Sequence, residues 1–411
     1  MKDFGYKTNG KSRMKSFAVF LGIIIIIVAL TYGIYKLFFI QAPLIEGTES
    51  FNLLSANKTI TLKTKNLKSI DIFITQNSKQ AVLLKDTSKN PEKTYTLTIK
   101  PKDLGLTDGP ANVTVNAASG IFKKAVYEIN TIIDTVPPRL EVLKAPEFID
   151  QGGAGFAILR AENADSVFVR LDGYIFRAFK TAPGADSKSM SNYLVLFAVP
   201  FDAKESSVLS AVAEDSAGNQ KSTALPTRLK IKKFTTSNIN IDDSFINKVI
   251  YPLLNEPDAS AKSDPVSAFK KINEDWRKIN VSKLIEISRK TEPKILWTGS
   301  FLQTKNSKVM ASYGDIRNFF YKGQLISKSV HLGYDMASTE NALVEAANSG
   351  IIRFTGDLGI YGNTVVIDHG LGLMSIYGHL SMITAKEGQK VAKGDVIGKT
   401  GSTGLAGGDH L

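Results

Sequence analysis

Gly362-Asn-Thr-Val-Val-Ile-Asp-His-Gly-Leu-Gly-Leu-Met-Ser-Ile-Tyr-Gly-His-Leu380 is the stretch that decides how the C-terminal end of this 411-residue chain folds. Val365 and Ile367 alternate with other residues going up, Gly370 to Gly372 supply a turn, and Met374, Ile376 and Gly378 alternate coming down. A period of two on both sides of a glycine-rich turn predicts a β-hairpin. Alternation also predicts that Ser375, Tyr377 and His379 share one face of the return strand. His369 falls at the turn, away from the end that carries His379, and is read as a structural turn histidine.

Outward from the hairpin, every histidine of the chain lies in the same C-terminal region: His331, His369, His379 and His410. There are no cysteines, so there is no disulfide framework and any metal would be held by His, Asp or Glu. His331-Leu-Gly-Tyr-Asp335 follows the alternating run Leu325–Val330 and sits at a strand end. Gly333 lets the chain turn so that His331 and Asp335 can face one metal, although a surface histidine beside a surface aspartate has the same spacing. Gly407-Gly-Asp-His410-Leu411 closes the sequence. In a strand, residues i and i+2 point to the same side, so an H-x-H pair starting at His410 would aim two imidazoles at one centre. Catalytic zinc takes three protein ligands and keeps a fourth position open, and it lowers the pKa of water toward neutrality. Unligated imidazoles nearby can then move protons, since histidine titrates at about pH 6.5.

In order along the chain, these segments resemble the LytM/lysostaphin-like zinc endopeptidases of bacterial cell walls. The resemblance covers about 300–411. It is carried by Tyr313-Gly-Asp-Ile-Arg317, similar to the family's FG-x-R motif with one extra residue before the arginine. It continues in His331-x-x-x-Asp335, in Gly362-Asn363 with the I-x-H-G-x-G turn, and in Tyr377-x-His379-Leu380. Glu387-Gly-Gln-Lys-Val391, Gly394-Asp-Val-Ile-Gly398, Thr400-Gly401 and Thr403-Gly404 complete it. The resemblance implies Zn2+ held by His331 and Asp335, with His379 and His410 as the unligated catalytic pair that activates water and stabilises the tetrahedral intermediate. The family's third ligand is the second histidine of a terminal H-L-H. The Thr-Gly-x-x-x-Gly-x-His context predicts that the natural chain continues past Leu411 with that histidine and a closing strand. Without it, zinc would have two protein ligands and activity would be doubtful.

Before the head, composition shifts twice. Residues 17–35, FAVFLGIIIIIVALTYGIY, carry no charge and are long enough to cross a bilayer as a helix. Lys2, Lys7, Lys11, Arg13 and Lys15 precede them against Asp3 alone, which places the N-terminus in the cytoplasm by the positive-inside rule. A cleaved signal peptide would have a shorter apolar run and a small-residue cleavage site, which FFIQAPLIEG does not provide. From about 45 to 232 the pattern is that of short strands. Ile60/Leu62, Ile70/Ile72/Ile74, Tyr95/Leu97/Ile99 and Val113/Val115/Ala117 alternate in the first half; Val167–Leu171, Tyr193–Phe197 and Val208–Ala213 form the second set. Asp134-Thr-Val-Pro-Pro138 is a stiff junction, because neither proline can donate within a ladder. That junction and the Glu214-Asp-Ser-Ala-Gly-Asn219 turn resemble tandem immunoglobulin-like modules of bacterial envelope proteins, here a spacer stalk. Phe269, Ile272, Trp276 and Ile279 recur at spacings of three and four after Ser263-Asp264-Pro265, which predicts an amphipathic helix packing on the head, and Asp242–Leu254 reads as a shorter one. The connector could also cover the catalytic groove.

The organisation expected is therefore mainly β: a basic tail 1–16, a transmembrane anchor 17–40, Ig-like β-sandwich modules at 45–135 and 138–232, a helical connector 240–299 and an all-β LytM-type peptidase head 300–411. The expected function is zinc-dependent hydrolysis of peptide cross-links in peptidoglycan, with stem peptides as substrate, the inner membrane as anchor and the head on its outer side. A second reading is a non-catalytic LytM-type scaffold that binds and activates a wall amidase. The net charge of +12 favours anionic partners, but no zinc finger, P-loop or other nucleic-acid motif is present, so nucleic acid is not among them.

Overall fold

Alternating apolar residues dominate the sequence, and the chain is accordingly mainly β. The computed structural model describes residues 10–38, 41–120, 123–181, 189–254, 260, 262 and 264–411. Residues 1–9 of the basic tail, the last two residues of the 17–40 segment and Ser263 of the expected helix start lie outside the described residues. The chain divides into two units, 1–137 with 215–219, and 138–214 with 220–411.

In the first unit, Gly10–Phe38 is one helix, and Phe17–Tyr35 within it is long and apolar enough to cross a membrane. Its apolar side chains, Ile23 to Ile27 among them, are exposed. The strands after this helix form two sheets. One contains Leu44–Glu46, Lys58–Lys65 and Lys93–Ile99; the other runs in the order Leu53–Leu54, Lys124–Ile133, Gly109–Ala118, Ser69–Gln76, Lys79–Thr87. The residues expected to face inward do so: Ile60, Leu62, Ile70, Ile72, Ile74, Val113 and Val115 are buried in one cluster. A two-sheet sandwich results.

The second unit begins at Pro138, the second proline of the pair. Arg139–Lys144 is its first strand, so both prolines stand outside the ladder. Seven strands pair in the order Gln220–Ala224, Leu209–Glu214, Ser166–Leu171, Tyr174–Lys180, Ser191–Ala198, Ala154–Glu162, Arg139–Lys144. The first and last of these touch, so the sheet folds over on itself around a core of Leu159, Val169, Val195, Leu209 and Ala211.

The connector is helical where apolar spacing predicted, with one difference. Asp264 caps the helix, its carboxylate accepting from the Val266 and Ser267 amides. Phe269 and Ile272 are buried and Trp276 half-buried against Phe319, Tyr321 and Ile360 of the head. Lys271–Trp276, however, forms a π turn. The extra residue in that turn rotates the next stretch of helix, so Ile279 is 63% exposed while Asn280 points inward, its Oδ1 accepting from the Ile360 amide at 2.9 Å. The expected stripe thus ends at Trp276. The head takes in a strand from before the connector: Thr236–Ile241 pairs in parallel with Ile316–Tyr321, which pairs antiparallel with Gln324–Val330. The central sheet of the head runs Met374–Tyr377, Asn363–Asp368, Gly350–Asp357, Lys390–Val391, and confirms the hairpin.

Candidate metal and catalytic centre

His331 stands just past the strand Gln324–Val330, and Asp335 opens the strand Asp335–Ala337. The turn between them brings His331 Nε2 to 2.9 Å from Asp335 Oδ1. His410 comes from the other end of the head: its amide donates to the Gly401 carbonyl, and Leu411 exchanges both backbone bonds with Met336. This places His410 Nε2 at 3.7 Å from the same Asp335 oxygen. The His379 ring lies 4.7 Å from the His410 ring, centroid to centroid. The four residues expected to form the site are therefore brought together, and His369 is not among them.

The route of His379 into the site differs from the expectation. The return strand stops at Tyr377, and His379 has φ +62°, so it does not continue the Ser375/Tyr377 face. Its amide donates to the Tyr361 carbonyl at 2.7 Å, and its ring turns toward the 400–404 loop. Two glycines make that turn possible. Gly362 (φ +58°) lies so close to Thr403, and Gly404 (φ +72°) so close to Gly362, that a Cβ on either would collide with backbone. The contact lets Thr403 Oγ1 accept from the Asn363 amide and donate to the Leu380 carbonyl, which fixes the Thr403 carbonyl beneath His379.

The hydrogen bonds decide the tautomers. Nδ1 of His331 faces the Ser312 carbonyl at 3.1 Å, Nδ1 of His379 the Thr403 carbonyl at 2.7 Å, and Nδ1 of His410 the Gly408 carbonyl at 2.8 Å. A carbonyl only accepts, so each ring carries its proton on Nδ1 and turns Nε2 toward the shared space. A bare Nε2 lone pair 2.9 Å from a carboxylate oxygen is repulsive, so a cation, proton or metal, belongs between His331 and Asp335. Imidazole nitrogen and carboxylate oxygen are the donors zinc accepts, and ring nitrogens held by backbone carbonyls are the usual support for metal-binding histidines. The pair fits one part of a zinc site. Among the described residues, no group of three or more His, Asp or Glu side chains is assembled as a complete cage.

Burial would raise the Asp335 carboxyl, but the hydrogen bonds and charges of His331 and Arg317 outweigh it and hold Asp335 well below the usual carboxylate range. His379 is pushed down to about 4, chiefly by burial, with His410 adding to the effect and the Thr403 carbonyl opposing it. It is a neutral imidazole at neutral pH. Arg317 was visible in the sequence only as part of a motif. Its Nη2 donates to Asp335 Oδ2 at 2.8 Å, a contact across eighteen residues that spacing does not announce.

His369 is fully buried. Its Nδ1 donates to the Ser349 carbonyl at 2.8 Å, and Nε2 accepts from the Ser375 hydroxyl at 2.7 Å. Beside it, Asp368 binds Arg353, Thr291 and the Glu292 amide.

The same C-terminal segment is similar to known proteins. The model of Peptidase family M23 matches residues 329–411. The C-terminal part of the chain is a peptidase M23 domain of the LytM type. DD-carboxypeptidase/endopeptidase Mpg of Neisseria meningitidis serogroup B is 44% identical over 82 residues, 20% of this chain and 19% of that protein. Peptidoglycan DD-endopeptidase ShyA of Vibrio cholerae is 42% identical over 81 residues, again 20% of this chain and 19% of the relative. The chain thus spans about a fifth of the length of these curated relatives. Among solved structures, a putative M23 peptidase from Pseudomonas aeruginosa aligns over 63% of this chain and 86% of its own, at 17% identity and a TM-score of 0.35.

Proposed function

We propose that this protein is a zinc-dependent endopeptidase that hydrolyses peptide cross-links of peptidoglycan, held at the cytoplasmic membrane by residues 17–40 with its head on the outer side. The observation that carries the reading is the convergence of His331 Nε2 and His410 Nε2 on Asp335 Oδ1, with the His379 ring beside His410 and the Nδ1 of each of the three rings held by a backbone carbonyl. In this reading His331 and Asp335 are metal ligands, and His379 and His410 are the unligated pair. Bound zinc supplies Lewis acidity, acidifying a water and polarising the scissile carbonyl. His379, neutral and oriented by Thr403, accepts the proton of the attacking water; His410, beside it, stabilises the charge that develops on the tetrahedral carbon's oxygen once its Nε2 carries a proton to donate. The two β modules act as a stalk.

The register Leu411 to Met336 also bears on the third ligand. A strand continuing in that register sets its next residue opposite Asp335, on the side where His410 already points, so a histidine there would complete the set. The test is zinc content and release of cross-link peptides from purified wall by the full-length protein, read from its gene through the stop codon. Stoichiometric zinc with chelator-sensitive release, both lost in His331→Ala, is the expected result. Absence of both zinc and release would overturn the endopeptidase and leave a scaffold that activates a wall amidase.

A further inference from the structure

The two oxygens of Asp335 have different surroundings. Oδ1 faces His331 and His410. Oδ2 is taken by Arg317 Nη2 at 2.8 Å. The same guanidinium reaches back with Nε to Asp315 Oδ2 at 3.4 Å, and Asp315, its side chain 8% exposed, receives the Ser237 hydroxyl on Oδ1 at 2.8 Å. Ser237 belongs to the strand Thr236–Ile241, upstream of the helices and far upstream of the family match at 329–411. Register makes this arrangement reproducible: Ser237 is the parallel partner of Arg317, and the Ile316 amide donates to the Thr235 carbonyl at 2.9 Å. The same turn holds the second ligand through its main chain. The His331 amide donates to the Asp315 carbonyl at 2.9 Å, the Gly314 amide donates to the His331 carbonyl at 2.7 Å, and Ser312 supplies the carbonyl behind the His331 ring.

We propose that Ser237, Asp315 and Arg317 are positioning residues for the metal ligand Asp335, forming a relay in which a strand outside the M23 match aims one carboxylate oxygen at the metal by holding the other. The inference rests on the reading of His331 and Asp335 as ligands. Asp315 fixes the guanidinium plane, Ser237 fixes Asp315, and Arg317 bridges two carboxylates because its donors fan out in one plane. A lysine carries the same charge but presents a single point and cannot span both. Partners that orient a metal ligand from outside typically change metal affinity by about 10–100-fold when removed.

The test is zinc affinity of the full-length protein by competition with a chromophoric chelator, together with the absorption spectrum of the cobalt-substituted protein. Arg317→Lys is expected to weaken zinc binding by about 10-fold or more and to alter the cobalt bands. Ser237→Ala, which removes one hydroxyl, should weaken it by about fivefold, in line with the loss of one hydrogen bond. A half-buried ion pair with only a structural role predicts the opposite pattern: Arg317→Lys shifts the melting temperature and leaves affinity and spectrum at the wild-type values, which overturns the relay while the zinc reading stands. Should the Arg317 variant fail to fold, Ser237→Ala decides, and unchanged affinity there overturns the proposal. A wild-type protein that takes up no zinc overturns the ligand assignment and the relay with it.

Discussion

His369 and His379 occupy the two ends of one hairpin, and burial lowers the pKa of both rings. Their surroundings differ in how the ring nitrogens are engaged. At His369 both ring nitrogens are engaged, one by the Ser349 carbonyl and one by the Ser375 hydroxyl, and the Ser375 and Tyr377 hydroxyls stand 2.9 Å apart to extend the chain. At His379 one nitrogen is engaged by the Thr403 carbonyl, and the other side of the ring faces His410 and the Asp335 cluster. Neither burial nor a shifted pKa separates His369 from the histidine proposed here to be catalytic. What distinguishes them is hydrogen-bonding capacity left unspent and aimed at other titratable groups.

Three substitutions sharpen or break this contrast. His379→Ala is expected to lower the rate of wall-peptide release by about 10²–10⁴-fold, the range for losing a general base, with zinc content unchanged by elemental analysis. Zinc loss in that variant would make His379 a ligand and defeat the assignment. Asp368→Asn should leave zinc affinity alone and destabilise the head by about 3 kcal/mol in denaturant unfolding, because it leaves Arg353 and a half-buried network short of a charge. The smallest effect concerns pH. Burial lowers the pKa of His369 in the folded head, so on acidification the unfolded chain takes up this proton first and the folded state loses ground as pH falls below about 6.5. His369→Gln removes that proton. The stability gap between wild type and variant, measured by thermal melting from pH 7.5 to 5, should therefore narrow as pH falls, and a constant gap would show that the ring does not titrate on unfolding.

Much of this was legible in the sequence, for local reasons. Alternation marks the strands of the first module and the hairpin, since period two is set by the backbone. The grouping of His331, Asp335, His379 and His410 was implied by the resemblance of the ordered motifs to the LytM/lysostaphin-like family, not by the spacing of any one of them. Three features were not legible. The π turn at Lys271–Trp276 has no signature in hydrophobic spacing, so spacing assigns Ile279 to the packed face that Asn280 occupies. The positive φ of His379 breaks the alternation that links it to Tyr377. Strand Thr236–Ile241 is short and polar, and its pairing with Ile316–Tyr321 depends on a segment eighty residues away, so neither its existence nor the Ser237–Asp315–Arg317 contacts could be read from its own residues.

That parallel pairing has a consequence for how the head is handled as an object. A fragment begun at residue 300, where the motifs begin, leaves the strand Ile316–Tyr321 with an open edge and strips Phe269 and Ile272 from over Phe319. A bare edge beside uncovered aromatic side chains is a template for intermolecular pairing and aggregation. The family match starts at 329, but the smallest piece of this protein expected to keep that edge covered starts upstream of Thr236.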